Sequence, residues 1–120
     1  MEGVGVMLGM TLSEMQERIA DFCKKHHLNS SPEHRALDAV SELGEVAKEI
    51  LRMTDYGRKP FAYRAEVKSE LGDLLFSLVA LANSLHVNLD EALAMVLRKY
   101  EQRLLKGSAG SEVEELKKKK

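Results

Sequence analysis

Prolines stand at only two positions, 32 and 60. Around them, apolar residues recur at intervals of three and four, the spacing that puts side chains on one face of a helix. No sustained alternation of apolar and polar residues occurs, and no hairpin dipeptide. The chain therefore reads as all-α. Thr11, with Glu14 three residues on, forms a capping box ahead of Leu12, Met15, Ile19, Phe22 and Cys23, which predicts a first helix over 12–27. Ser31-Pro32 is an N-cap followed by proline at the first helical position. It opens a second helix from Pro32 to about Thr54, with Leu37, Val40, Leu43, Ala47, Ile50 and Leu51 as its apolar face. Asp55-Tyr56-Gly57 stops that helix. A third runs from about Ala62 to His86, the most apolar segment, and a fourth from Leu89, capped by Asn88, to about Lys106. Residues 1–10 read as a loose leader and 107–120 as a charged tail ending in four lysines, which leaves one domain over 11–106.

A chain of 120 residues, 44% hydrophobic and 31% charged, suffices for one core. The single Cys excludes an internal disulfide framework and fits a reducing, cytoplasmic setting. No apolar run nears the ~20 residues of a membrane span, and the leader lacks the basic start of a signal peptide. Lys plus Arg is 18 against 19 for Asp plus Glu, so a nucleic-acid polymer is not the expected partner.

The placement of the acids says more than their number. Ser41-Glu42-Leu43-Gly44-Glu45 on the second helix matches Ser69-Glu70-Leu71-Gly72-Asp73 on the third. Each is a Ser-acid-Leu-Gly-acid run with its acids three apart, hence on one side of a helix. Glu49 and Glu66 extend the two stripes. At ~100° per residue, both stripes lie beside the apolar arc of their helix, so antiparallel packing can turn them into one crevice. Lysine partners hardly relieve the crowding four residues on: Val46 follows Glu42 by four and Leu74 follows Glu70 by four. Like charges so crowded repel unless a cation joins them. An all-oxygen donor set suits a hard ion such as Mg²⁺, with Mn²⁺ as a substitute. Gly44 and Gly72 cost roughly 1 kcal/mol each inside a helix; two at matched places point to close helix approach or to room for a ligand.

These residues resemble the MazG-like all-α nucleoside triphosphate pyrophosphohydrolases, whose motif is two acids three apart, a spacer, then Glu-x-x-Asp. Here that is Glu42-Leu43-Gly44-Glu45, 24 residues (46–69), then Glu70-Leu71-Gly72-Asp73 in the run Glu-Leu-Gly-Asp-Leu-Leu-Phe. Lys99-Tyr100-Glu101-Gln102-Arg103 also looks like the family's last helix, so the likeness spans about residues 12–105. The resemblance implies hydrolysis of a (d)NTP to the monophosphate and pyrophosphate, in nucleotide-pool housecleaning. It implies Glu42, Glu45, Glu70 and Asp73 as Mg²⁺ ligands and Glu45, or Glu42, as the general base. Relatives often carry another Glu where this chain has Ser41, which leaves the base and the number of metal ions open. It also implies a homo-oligomer, dimer or tetramer, whose subunits together form a helical bundle.

Further residues are candidates for holding substrate. Lys99 and Arg103 match basic positions of the family's last helix, and they equally suit a helix C-terminus. Lys59, with Arg58, lies in the loop between the acidic helices. Asn83 follows Asp73 by ten residues and reads either as a contact to sugar or base or as a polar tie between helices. Phe22 reads as a stacking surface for a base or as core. Two alternatives stay open: the phosphoribosyl-ATP branch of the same superfamily, and a non-catalytic helical interaction protein.

Overall fold

The computed structural model describes residues 9–107. Four helices make up its regular structure: α1 (Leu12–Lys25), α2 (Pro32–Arg52), α3 (Glu66–Ser84) and α4 (Leu89–Leu105). Among the described residues there is no strand, as the periodicity predicts. Most of the expected leader and the tail beyond Gly107, with its lysine run, lie outside the described residues. The chain divides after Val87 into two compact units. The first holds α1 to α3 and the second α4.

The helix starts follow the capping chemistry. The Thr11 hydroxyl accepts the Glu14 N–H at 3.1 Å, and the Glu14 carboxylate accepts the Thr11 N–H at 3.1 Å. Ser31 caps α2 through the His34 N–H at 3.3 Å. Asn88 caps α4 through the Glu91 N–H at 2.9 Å. The third helix is the exception, beginning at Glu66 rather than near Ala62, with no side-chain cap. Residues 61–64 instead form an irregular approach, in which the Arg64 side chain is drawn back to Glu49 on α2.

The connection from α2 to α3 reverses direction through three consecutive left-handed residues, Asp55, Tyr56 and Gly57, at φ of 46°, 58° and 88°. Glycine takes such an angle freely, whereas Asp and Tyr do so at a cost. The Ala62 N–H donates to the Met53 carbonyl at 2.7 Å and ties the loop at its base.

Within the first unit α3 is central: α2 packs along it and α1 lies against it. Ile19, Cys23, Val46, Met53, Val79, Ala80 and Ala82 are buried. The buried Gln16 fastens α1 to the end of α3. Its amide donates to Asn83 Oδ1 at 3.0 Å and to the Val87 carbonyl at 2.8 Å, while Asn83 Nδ2 donates to the Gln16 carbonyl at 3.0 Å.

The expected apolar face of α2 is not its buried face. Leu37 and Val40 are 66% and 68% exposed, and Leu43, Ile50 and Leu51 are exposed as well. The residues α2 buries or half-buries are Pro32, Arg35, Ala39, Glu42, Val46 and Glu49, with Met53 at its end. The acid-bearing side is thus turned inward, where Glu49 meets cationic partners, and the leucine-rich arc faces out. On α3, Leu71, Leu75 and Leu78 are exposed in the same way. Among the described residues no single helix is long and apolar enough to cross a membrane.

The second unit is simpler. Asp90 and Glu91 occupy the first turn of α4, where acids favour the helix dipole. Farther along, Lys99 Nζ lies 5.5 Å and Arg103 Cζ 5.8 Å from the centre of the Tyr100 ring.

Candidate metal centre

The two matched motifs meet on the inward faces of α2 and α3. Glu42, Glu70 and Asp73 each offer a carboxylate oxygen, and these three atoms lie within 4.8 Å of one another. Glu42 and Glu70 are half-buried and Asp73 is exposed, so the cluster opens to solvent on one side. Glu45, one turn from Glu42, is exposed and stands outside this group of three. Its charge nevertheless reaches Glu70. Burial first, then the charges of Asp73, Glu45, Glu42 and Glu49, raise the Glu70 carboxyl above its ordinary value. Three to four carboxylates therefore share a space that disfavours their combined negative charge.

A cation resolves that conflict. The donors are all oxygens, without His or Cys, which is the chemistry of a hard divalent ion. The donor set of Glu42, Glu70 and Asp73, with room on the Asp73 side, fits such an ion, with positions left for water or a phosphate oxygen.

Glu49 has a different place from the one its position in the stripe suggests. Its side chain is only 7% exposed and is clamped by two arginines. Arg52 Nη1 donates to Oε1 at 2.8 Å and Arg64 Nε donates to Oε2 at 2.8 Å. Hydrogen bonding from Arg64, then from Arg52, holds the Glu49 carboxyl below its ordinary value despite its burial. The same contact raises the Arg64 guanidinium. The stripes are thus not wholly unpaired. Arg52 lies at the helical spacing i,i+3, visible in the sequence, whereas Arg64 comes from across the loop. Glu66, the other outer acid, is exposed.

The glycines between the acids have open space. A Cβ built at Gly44 or Gly72 meets nothing within 4 Å, so close approach of helices within the chain does not account for them. The Gly44→Ala and Gly72→Ala variants are expected to gain roughly 0.5–1 kcal/mol each in chemical denaturation. A loss of activity in those variants would locate a ligand against the bare backbone.

The remaining candidates are dispersed. Asn83 has both ends of its amide engaged with Gln16, the interhelical tie rather than a free contact group. Phe22 is half exposed, with its ring 6.0 Å from Phe76 edge to face and 4.6 Å from His26. Lys59 is exposed in the loop, its N–H bonded to the Thr54 carbonyl at 2.9 Å. Lys99 and Arg103 belong to α4 and flank Tyr100.

An all-α scaffold that brings acids from two adjacent helices together, with all-oxygen donors, is of the class that can hold a hard divalent ion. By its sequence the chain belongs to the MazG nucleotide pyrophosphohydrolase domain family, whose model matches residues 30–106. It is 46% identical over 67 residues to YpjD of Bacillus subtilis strain 168, covering 53% of this chain; the chain spans 59% of the length of that relative. The crystal structure of Bacillus subtilis YpjD, provisionally described as a pyrophosphatase, superposes with a TM-score of 0.66 at 34% identity, covering 81% of this chain and 99% of that one. A Bacillus-conserved MazG protein, described as a nucleotide pyrophosphohydrolase, superposes with a TM-score of 0.65 at 28% identity, covering 78% and 93% of the two chains.

Proposed function

We propose that this protein hydrolyses (d)NTPs to the monophosphate and pyrophosphate, with Mg²⁺ held by Glu42, Glu70 and Asp73 and assisted by Glu45. The observation that carries this reading is the convergence of the three carboxylate oxygens within 4.8 Å, on a chain of the MazG family. A triphosphate is itself an anion and cannot enter an acidic crevice without a metal counter-charge. When bound, the ion supplies charge neutralisation, a polarised phosphoryl group and a bound water of lowered pKa. The protein's own part is positional. Glu42, Glu70 and Asp73 project from two rigid helices, which fixes where the reacting phosphate lies. Glu45, exposed and outside the cluster of three, takes the proton of the attacking water in this reading. The Arg52–Glu49–Arg64 clamp ties the end of α2 to Arg64, just ahead of α3, across the loop that bears Arg58 and Lys59.

We also propose that the working form is a homodimer or homotetramer. The outward arc of Leu37, Val40, Leu43 and Ile50 on α2, with Leu71, Leu75 and Leu78 on α3, supports this. It is the kind of surface that a second copy covers.

A panel of canonical and altered (d)NTPs incubated with Mg²⁺ tests the reaction, with products separated as monophosphate and pyrophosphate. Release of orthophosphate and diphosphate instead would rule it out. A companion measurement follows Tm against Mg²⁺ and Mn²⁺. Saturating metal at about 100 times its dissociation constant adds about 2.7 kcal/mol, which raises Tm by roughly 10 °C or more. No rise with either ion would remove the metal assignment.

A further inference from the structure

A second polar site lies at the other end of the α2–α3 pair, away from the Arg52–Glu49–Arg64 clamp. A cleft of about 420 Å³ opens there, bounded by α1, the turn before α2, the start of α2 and the end of α3. Three cationic or potentially cationic side chains line it: Lys24 from α1, Arg35 from α2 and His86 from the turn after α3. Asn29 and Ser30 add neutral polar groups, and among the described residues that line the cleft there is no Asp or Glu.

Arg35 is the unusual member. It is buried, and its carboxylate partner, Asp38, is held at long range. Its guanidinium donates to the Leu28 carbonyl and approaches Cys23 Sγ at 3.8 Å. The nearest acid, Asp38, reaches only 4.0 Å from Nη1 and is itself 56% exposed. Glu33, at the neighbouring helix start, is held below its ordinary value by its own N–H and by Ser31. A buried guanidinium whose anion partner stands as far off as Asp38 and is mostly exposed is only partly compensated. Its fork geometry suits phosphate oxygens better than any other common anion apart from a carboxylate.

The place of the cleft relative to the acids is set by helix geometry. Arg35 precedes Glu42 by seven residues and Ala80 follows Asp73 by seven, so on both helices the cleft begins about 10 Å, two turns, along the same stripe. We propose that this cleft binds a phosphate group through Arg35, Lys24 and His86. Two sources offer that group: the distal phosphates of a nucleotide whose reacting phosphate lies at the acids, and a free phosphate or pyrophosphate ion. Binding of the anion itself does not depend on the hydrolase reading.

Titration of the full-length protein with inorganic pyrophosphate in metal-free buffer, followed by calorimetry, tests the site. Saturable binding is expected, weakened about tenfold or more in the K24A/H86A double variant and in R35K, and retained or strengthened in E70Q. The double variant changes two exposed side chains, and its circular dichroism and Tm report whether it folds. Absence of saturable binding to the parent protein, equal binding by the double variant, or loss of binding in E70Q would overturn the proposal. Steady-state kinetics then separates the two sources. A rise in KM for the nucleotide in K24A/H86A, with kcat retained, assigns the phosphate to the substrate. An unchanged KM alongside lost pyrophosphate binding assigns it to a free anion. If no nucleotide is turned over, the hydrolase reading fails while the pyrophosphate titration still decides the site.

Discussion

Glu70→Gln and Asp73→Asn are each expected to lower kcat by about a hundredfold or more, since loss of a group that merely supports a metal ligand already costs 10–100-fold. Each removes one of three oxygens that converge within 4.8 Å and leaves the helix backbone unchanged. For Glu70 the effects on activity and stability have opposite signs. Its carboxyl is raised above the ordinary value by burial and by Asp73, Glu45, Glu42 and Glu49, so its ionised form is disfavoured in the folded chain relative to the unfolded one. A neutral amide of the same shape relieves that repulsion. The metal-free E70Q protein should therefore melt at or above the parent's temperature at neutral pH, while its activity falls. Initial rates, with metal-free melting curves measured beside them, check both halves. A variant that retains activity would remove Glu70 from the site, and one that melts well below the parent would mark it as structural.

Glu49→Gln has the reverse profile. The carboxylate holds Arg52 and Arg64 at 2.8 Å each, and an amide cannot serve two guanidinium groups. Because Arg52 and Arg64 are 41% and 37% exposed, both can turn to water, which moderates the loss. The expected result is a fall in Tm of about 5 °C, with faster tryptic cleavage after Arg58 and Lys59 as the loop loosens. The pH dependence follows from the sign of the shift. The Glu49 carboxyl lies below its ordinary value when folded, so its contribution is complete at neutral pH. That contribution is lost as pH falls from the ordinary carboxylate value toward the lowered one. The parent should lose stability in that acid window, and E49Q should show a flatter profile. Overlapping acid-melting curves would show that the clamp contributes nothing measurable.

The sequence makes helices and caps legible because both are local. Thr11 with Glu14, Ser31 with His34 and Asn88 with Glu91 join residues three apart, a distance that reading along the chain can see. The acidic motif is legible for the same reason, since its doubled Ser-acid-Leu-Gly-acid pattern repeats within two helices. The face of α2 is not. The count of apolar residues favours burying Leu37, Val40 and Leu43, yet the inward side carries Glu49, paired with Arg64 fifteen residues away. An ion pair across a loop has no periodicity to announce it. Asn83 is similar: its position beyond Asp73 fits a ligand contact, but Gln16, 67 residues away, claims its amide. The matched glycines drew the eye correctly to the motif, but open space at their missing Cβ atoms shows that helix contact within the chain is not their reason.

All three acids of the cluster sit on one helical hairpin, whose arms are joined by residues 53–65. Contacts between neighbouring elements form early when a chain collapses, since little loop entropy opposes them. Closure of this hairpin brings like charges together. The acidic crowd is thus a barrier on the folding route as well as a tension in the finished protein. A divalent ion present during refolding is therefore expected to quicken the approach to the native state, which stopped-flow refolding with and without Mg²⁺ checks.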